Sequence, residues 1–155
     1  MNDATSKTDI NKFSQAVNLT PNETMAIFQQ LAAEGFLHKV GTSVCINEKG
    51  RNAIKITRNI PDEKAFYFYI DEHKPIGFSA HSIEEFYRLI KQVTSEALDF
   101  HVLRGDFENW LREVIGDREL ALDISGLRAA SLRSEDLRKR LLNVIDYRYR
   151  ISEIF

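Results

Sequence analysis

His101, Arg104, Asp106 and Trp110 fall close together in this sequence, and with His81 they form the one set of residues whose types could act together chemically. His101 and Arg104 end an expected strand and Asp106 begins an expected helix, a place where ligands sit beside free helix amides. Capping and burial explain the same residue types without any ligand. Asp106 reads as an N-cap, Trp110 as a core anchor and His101 as a partly buried strand residue. That reading is preferred, and His101, Arg104 and Asp106 are kept as a secondary ligand-site candidate. Other chemical signatures are missing. The sequence has no phosphate-cradling glycine loop, no dinucleotide fingerprint and no histidine pair at metal-binding spacing. His38, His73, His81 and His101 are scattered, and Glu84-Glu85 and Asp62-Glu63 read as solvated surface. Cys45 is the only cysteine, which excludes an internal disulfide and a cysteine-rich zinc site. It lies in the alternating stretch Val44-Cys45-Ile46 and reads as a strand thiol. The expectation is a non-enzyme with no catalytic residue, cofactor or metal.

The elements that must position these residues come from a chain of 155 residues, enough for one medium domain or two small ones. Hydrophobic residues at 43% and charged residues at 28% are ordinary for a globular protein. No apolar run is long enough to span a bilayer, and Met1 to Asp9 lacks the apolar stretch of a secretory signal. A cytoplasmic protein with no membrane partner is expected. The net charge of −2 conceals an asymmetry. Residues 1–60 carry seven Lys/Arg against five Asp/Glu, and residues 61–155 carry fourteen against eighteen. The front part is mildly basic, short of the excess that marks a nucleic-acid binder by charge alone.

Asp9 to Val17 places Ile10, Phe13 and Val17 at helical spacing. After a turn at Asn18-Leu19, Thr20-Pro21-Asn22-Glu23 has the composition of a complete helix start. Thr20 can cap the third amide, Pro21 suits the first helical position, and Glu23 can close a capping box. The helix runs to about Glu34, and Gly35 supplies a left-handed stop. Thr24, Phe28 and Leu31 share a face that packs on the preceding helix. The period then changes to that of strands. Phe36 to Val40 and Ser43 to Asn47 form a ribbon around a tight turn at Gly41-Thr42, and a short helix from Glu48 to Ile56 follows. Arg58 to Asp62 interrupts the pattern and divides the chain into 1–60 and 61–155.

The segment LTPNETMAIFQQLAAEGFLHKVGTSVCINEKGRNAI resembles the winged helix-turn-helix superfamily, with L-x-x-E-G-F-L leaving the second helix and I-N-E-K-G after the wing. The resemblance implies double-stranded DNA as partner, with the second helix in the major groove and the ribbon near the backbone. Asn22, Glu23, Met25, Ala26, Gln29 and Gln30 would then face DNA. Thr42 and Ser43 would form the wing tip, and Lys39, Lys49 and Arg51 would lie close to phosphates. A glutamine at position 29 or 30 is able to pair bidentately with adenine. Two departures stand out. Thr20 to Leu37 contains no Lys or Arg, although phosphate neutralisation supplies much of DNA affinity. Only eight residues precede the helix at Asp9, so the superfamily's first helix is lost or is replaced by residues 134–152 or a second subunit.

In the back part, Lys64 to Ile70 is the strongest strand, and Pro75 to Ala80 returns as its hairpin partner. Ser82-Ile83-Glu84-Glu85 reads as a capping box that opens a helix with Ile83, Phe86, Leu89, Ile90 and Val93 inward. Leu98 to Leu103 reads as a third strand, and Asp106 as the cap of a helix closed by Gly116. Short and long helices follow, near Asp117 to Ile124 and from Ser134. PIGFSAHSIEEFYRLI and LDFHVLRGDFENWLREVIGDRELA resemble a small prokaryotic domain family of unknown function, over about Ala65 to Leu142. That resemblance brings no activity with it. In the last helix Leu137, Leu141, Val144, Ile145 and Tyr149 make an apolar stripe, and Arg138, Lys139, Arg140, Arg148 and Arg150 supply cations. These cations read as a solvated face opposite a core or dimer stripe, or as phosphate contacts that the capped helix lacks.

The expected fold class is α+β: a winged helix-turn-helix without its first helix, then a small α+β domain with about three strands and several helices. The function expected is a DNA-binding transcriptional regulator, homodimeric, whose second domain senses, dimerises or recruits. The alternative is an adaptor that binds a protein partner through both parts without DNA.

Overall fold

In the computed structural model, which describes residues 10–41 and 43–155, Thr20 starts its helix by the local chemistry of its spacing. Its Oγ1 accepts from the Glu23 amide at 3.2 Å, and the Glu23 carboxylate accepts from the Thr20 amide at 2.8 Å. The resulting α2 (Pro21–Ala33) follows α1 (Ile10–Ala16), and the two cross at Phe13 and Phe28, whose rings are 5.3 Å apart. Buried Ser14 donates to the Ile10 carbonyl and lies 2.8 Å from the Thr24 hydroxyl, so the crossing carries no unsatisfied polar group.

Gly35, at φ 83°, ends this part of the chain's helix and turns it into β1 (Leu37–Val40). β1 pairs antiparallel with β2 (Ser43–Ile46), Leu37 facing Ile46 and Val40 facing Ser43. Asn47 then fixes how the hairpin joins α3 (Glu48–Thr57). Its Nδ2 donates to the Gly35 carbonyl at 2.6 Å, while its Oδ1 accepts from the Gly50 amide at 2.9 Å. One side chain thus holds the end of α2 and the start of α3 together. Gly50 is required there because a Cβ would stand 2.4 Å from the Phe36 carbonyl oxygen and 2.6 Å from Ile46 Cγ1.

The chain divides into two compact units, Met1–Ile54 and Lys55–Phe155. In the second, β3 (Phe66–Asp71) and β4 (Lys74–Ala80) form a separate two-stranded hairpin with shifts in register near Tyr69. Alternation turns Phe66 and Phe68 inward. They meet α4 (Ile83–Gln92), α5 (Ser95–Arg104) and α6 (Asp106–Trp110) in an aromatic cluster. Phe66 alone has Phe68, Phe86, His101, Phe107 and Trp110 within 5.7 Å between ring centroids. A π-helical turn at Leu111–Ile115 follows α6, Gly116 ends it at φ 84°, and α7 (Arg118–Ala129) and α8 (Ser134–Tyr149) complete the unit. Leu137, Leu141, Ile145 and Tyr149 bury the apolar stripe of α8 against α4, α5 and α7. That stripe is core.

Eight helices and two small antiparallel sheets make the described residues mixed α+β. One expected strand is absent: residues 98–103 lie inside α5. Leu98, Phe100 and Val102 alternate, but the buried set is Ala97, Leu98, His101 and Val102, which is helical spacing. Thr94 accepts from the Ala97 amide and Gly105, at φ 74°, closes the other end. The Ser82 capping box is also only half formed. Ser82 accepts from the Glu85 amide, but the Glu85 carboxylate accepts from the amide of His81, one residue earlier than the motif requires.

The close approach at Gly50 sets a test of the first unit. Gly50→Ala should destabilise it by about 1–3 kcal/mol through overpacking against backbone that has no rotamer to move. Urea unfolding of the full chain reads this as a lowered midpoint, and an unchanged midpoint would mean that Phe36 and Ile46 yield without cost.

Candidate nucleic-acid interface

Side chains on the outer face of α2 contact little of their own unit. Asn22, Met25, Ala26 and Gln29, spaced three or four residues apart, are all exposed. Neither the Asn22 nor the Gln29 side chain makes a hydrogen bond among the described residues, so both present free side-chain amides. Gln30 is exposed but donates to Glu34 Oε1 at 3.0 Å. Glu23 is committed to the cap: Thr20 hydrogen bonds, backbone first and hydroxyl second, hold its carboxyl below the usual range. Its charge favours the helix N-terminus and disfavours a nearby phosphate.

The cations expected beside this face have local roles. Lys49 donates to the Glu34 carbonyl at 2.8 Å and lies 4.6 Å from the Phe36 ring centre. Arg51 donates to the Ile46 carbonyl at 3.1 Å. Both partners are neutral, so neither cation is neutralised. Lys39 is exposed on β1, Ser43 is half-buried at the start of β2, and Thr42 lies outside the described residues. α2 itself has no cation and leaves Met25 and Ile27 37% and 44% exposed.

The cations of α8 are arranged differently. Arg138 pairs with Glu135 and donates to the Ile90 carbonyl. Arg148 forms a fork on Asp117 at 2.9 and 3.0 Å and also meets Glu119. Arg150 lies 3.8 Å from Glu153. Lys139 and Arg140 are exposed without an ion pair among the described residues. Three of the five cations therefore serve the second unit's own carboxylates. The apolar stripe of α8 is buried within that unit. Phe13 and Val17 stay 38% and 42% exposed.

His101, Arg104 and Asp106 do come together, in an arrangement the sequence did not indicate. His101 sits in α5 and is 3% exposed. Its Nε2 accepts from the Tyr69 amide at 2.8 Å, and its Nδ1 donates to Asp106 Oδ2 at 2.8 Å. Those two bonds fix the neutral tautomer with the proton on Nδ1. Asp106 is thus not an N-cap: Gly105 takes that position without a side-chain bond, and the Asp106 carboxylate turns back to His101. Arg104 closes the cluster, 3.3 Å from Asp106 and 3.0 Å from Glu72. Trp110 Nε1 donates to the Lys64 carbonyl at 2.8 Å, and His81 pairs with Asp62 at 3.0 Å. A cavity of about 530 Å³ lies beside Tyr69, Glu72 and Arg104. Every polar group of that constellation has a protein partner already, so the geometry reads as a structural brace.

Sequence reasoning missed two further groups. Buried Glu108 faces Arg128 at 3.2 Å with no hydrogen bond to its Oε1 among the described residues. Asp117 caps Leu120 and takes Arg148 and the Tyr149 hydroxyl, the latter at 2.5 Å. Burial alone would raise the Asp117 carboxyl, but these hydrogen bonds and the guanidinium pull it below its ordinary value. Burial and the Asp117 bond push the Tyr149 phenol up. No local signal marks the pairing of residues 117 and 148. No cluster of metal-binding character occurs among the described residues, and none of their helices is long and apolar enough to cross a membrane. Comparison with family models, curated proteins and solved structures gives no match.

Burial, partly offset by Asp106, lowers the His101 imidazole from its ordinary value, so folding favours the neutral form. The unfolded chain takes up this proton near pH 6.5, before the folded chain does. The stability His101 supplies is therefore complete above about pH 6.5 and declines as pH falls below it. His101→Phe should cost about 1–3 kcal/mol at neutral pH by stranding the Tyr69 amide. Denaturation midpoints of the two proteins should converge towards pH 5; a constant gap from pH 7.5 to 5 would contradict the neutral-imidazole assignment.

Proposed function

We propose that the Met1–Ile54 unit is a winged helix-turn-helix module that binds double-stranded DNA, and that the chain is a cytoplasmic transcriptional regulator. The observation that carries this reading is the outer face of α2, where Asn22, Met25, Ala26 and Gln29 are exposed and the two amides have no partner among the described residues. A helix of 13 residues held by a capping box and a crossing helix is rigid enough to enter the major groove. Gln29 is chemically able to pair with adenine, and Met25 and Ala26 can take thymine methyls. Lys39, Lys49 and Arg51 then supply phosphate contacts from the hairpin and α3, because carbonyl partners leave the charge of Lys49 and Arg51 intact. The Lys55–Phe155 unit would sense, dimerise or recruit.

A second reading rests on α2 itself. It has no cation and exposes Met25 and Ile27, which suits a protein partner better than a polyanion. In that case the chain is an adaptor.

A salt titration against random and selected duplexes separates the two. For a DNA binder the logarithm of affinity should fall linearly with the logarithm of salt, with a slope of about −0.9 per neutralised phosphate. The Lys49→Ala/Arg51→Ala double variant should weaken binding to every sequence and flatten that slope by about one for each phosphate left without its cation. Gln29→Ala should instead relax sequence preference by about 1–3 kcal/mol. Absence of duplex binding even at low salt would sink the regulator and leave the adaptor.

A further inference from the structure

A cavity in the second unit, about 610 Å³ in volume, is lined by four cations and only two carboxylates. The cations are Lys55, Arg58, Arg118 and Arg148, and the carboxylates are Asp117 and Glu119. Both carboxylates are engaged by Arg148, which forks onto Asp117 and meets Glu119. Lys55, Arg58 and Arg118 make no ion pair among the described residues. Three uncompensated positive charges therefore converge on one concavity of a chain whose net charge is −2.

The backbone holds them there. Lys55 is in the last turn of α3, Arg58 follows its end, and Arg118 opens α7 directly after the π-helical turn and Gly116. Asp117 is fixed by Leu120, Arg148 and Tyr149, so the rim beside Arg118 is braced from α8. Gathering like charges around one concavity is unfavourable even where they are exposed, and a bound anion relieves it. The volume falls within the range of about 300–1,000 Å³ found for small-molecule sites. Ile60 and Ile115 add an apolar part to the lining.

We propose that this cavity binds a small phosphorylated molecule, its phosphate held by Lys55, Arg58 and Arg118 and its apolar part against Ile60 and Ile115. A phosphomonoester fits better than a carboxylate because its dianion can accept from several donors at once. The site is independent of the DNA reading, since none of its residues belongs to the face of α2.

Calorimetric titration of the full chain with phenyl phosphate, inorganic phosphate, benzoate and a DNA duplex, at fixed ionic strength, tests it. Phenyl phosphate should bind most tightly, inorganic phosphate more weakly and benzoate weakest. Arg118→Gln and Lys55→Gln should each weaken phenyl phosphate about tenfold, the loss of one charge-assisted hydrogen bond. Glu119→Gln should tighten it several-fold by removing a negative charge from the lining, a gain that misfolding would not mimic. No heat with phenyl phosphate beyond a chloride control would overturn the proposal, as would affinities that none of these substitutions changes. A loss confined to duplex binding would also overturn it and assign the three cations to a nucleic-acid backbone.

Discussion

A two-stranded sheet has two open edges, and the outer edge of β3 is covered by helix rather than water. Its Tyr69 amide points away from β4 and must find an acceptor, because a buried unpaired amide costs about 1–3 kcal/mol. His101 Nε2 is that acceptor. The same ring is then obliged to carry its proton on Nδ1, which recruits Asp106 from the start of α6. One imidazole thereby ties the hairpin, α5 and α6 into a single arrangement around Phe66 and Phe68. The aromatic rings supply the buried area, and the histidine supplies the orientation.

Charge is distributed in the second unit by the same logic of partnership. Arg148 is fully matched by Asp117 and Glu119, and Tyr149 adds a hydrogen bond to the same carboxylate. Part of a basic helix in the sequence is therefore, in the folded protein, an internal brace, while Lys139 and Arg140 stay exposed. Uncompensated charge also gathers where α3 ends and α7 begins. Counting cations along a helix says little about what a partner would meet; the positions of the carboxylates decide it.

The first unit depends on Asn47 and Gly50 as the second depends on His101. Asn47 satisfies a carbonyl left at the end of α2 and an amide left at the start of α3, while Gly50 lets the two backbones approach. With both helix ends held internally, the outer face of α2 has no structural duty. Asn22 and Gln29 are exposed there without partners among the described residues, and that freedom is what a recognition surface requires. Lys49 and Arg51 steady neutral carbonyls and keep their charge, so they serve the fold and remain able to meet an anion.

Features set within a few residues were legible in the sequence. The Thr20–Glu23 box, the Gly35 stop, both hairpins and the buried stripe of α8 each follow from spacing that a short peptide already contains. The strand expected at residues 98–103 is helix instead, because Leu98, Phe100 and Val102 satisfy the period of two while Thr94 and Gly105, just outside, impose a helix. Asp106 has the type and position of a cap; only the fold placed a buried imidazole 2.8 Å away and redirected the carboxylate. The Arg148–Asp117 fork joins residues 31 positions apart, and the cation-lined cavity gathers side chains from α3, α7 and α8. Periodicity and capping act through bonds along the chain, so sequence determines them. Hydrogen-bond satisfaction of a buried group and the balance of charge in a cavity depend on which elements pack side by side, so only the tertiary structure could decide them.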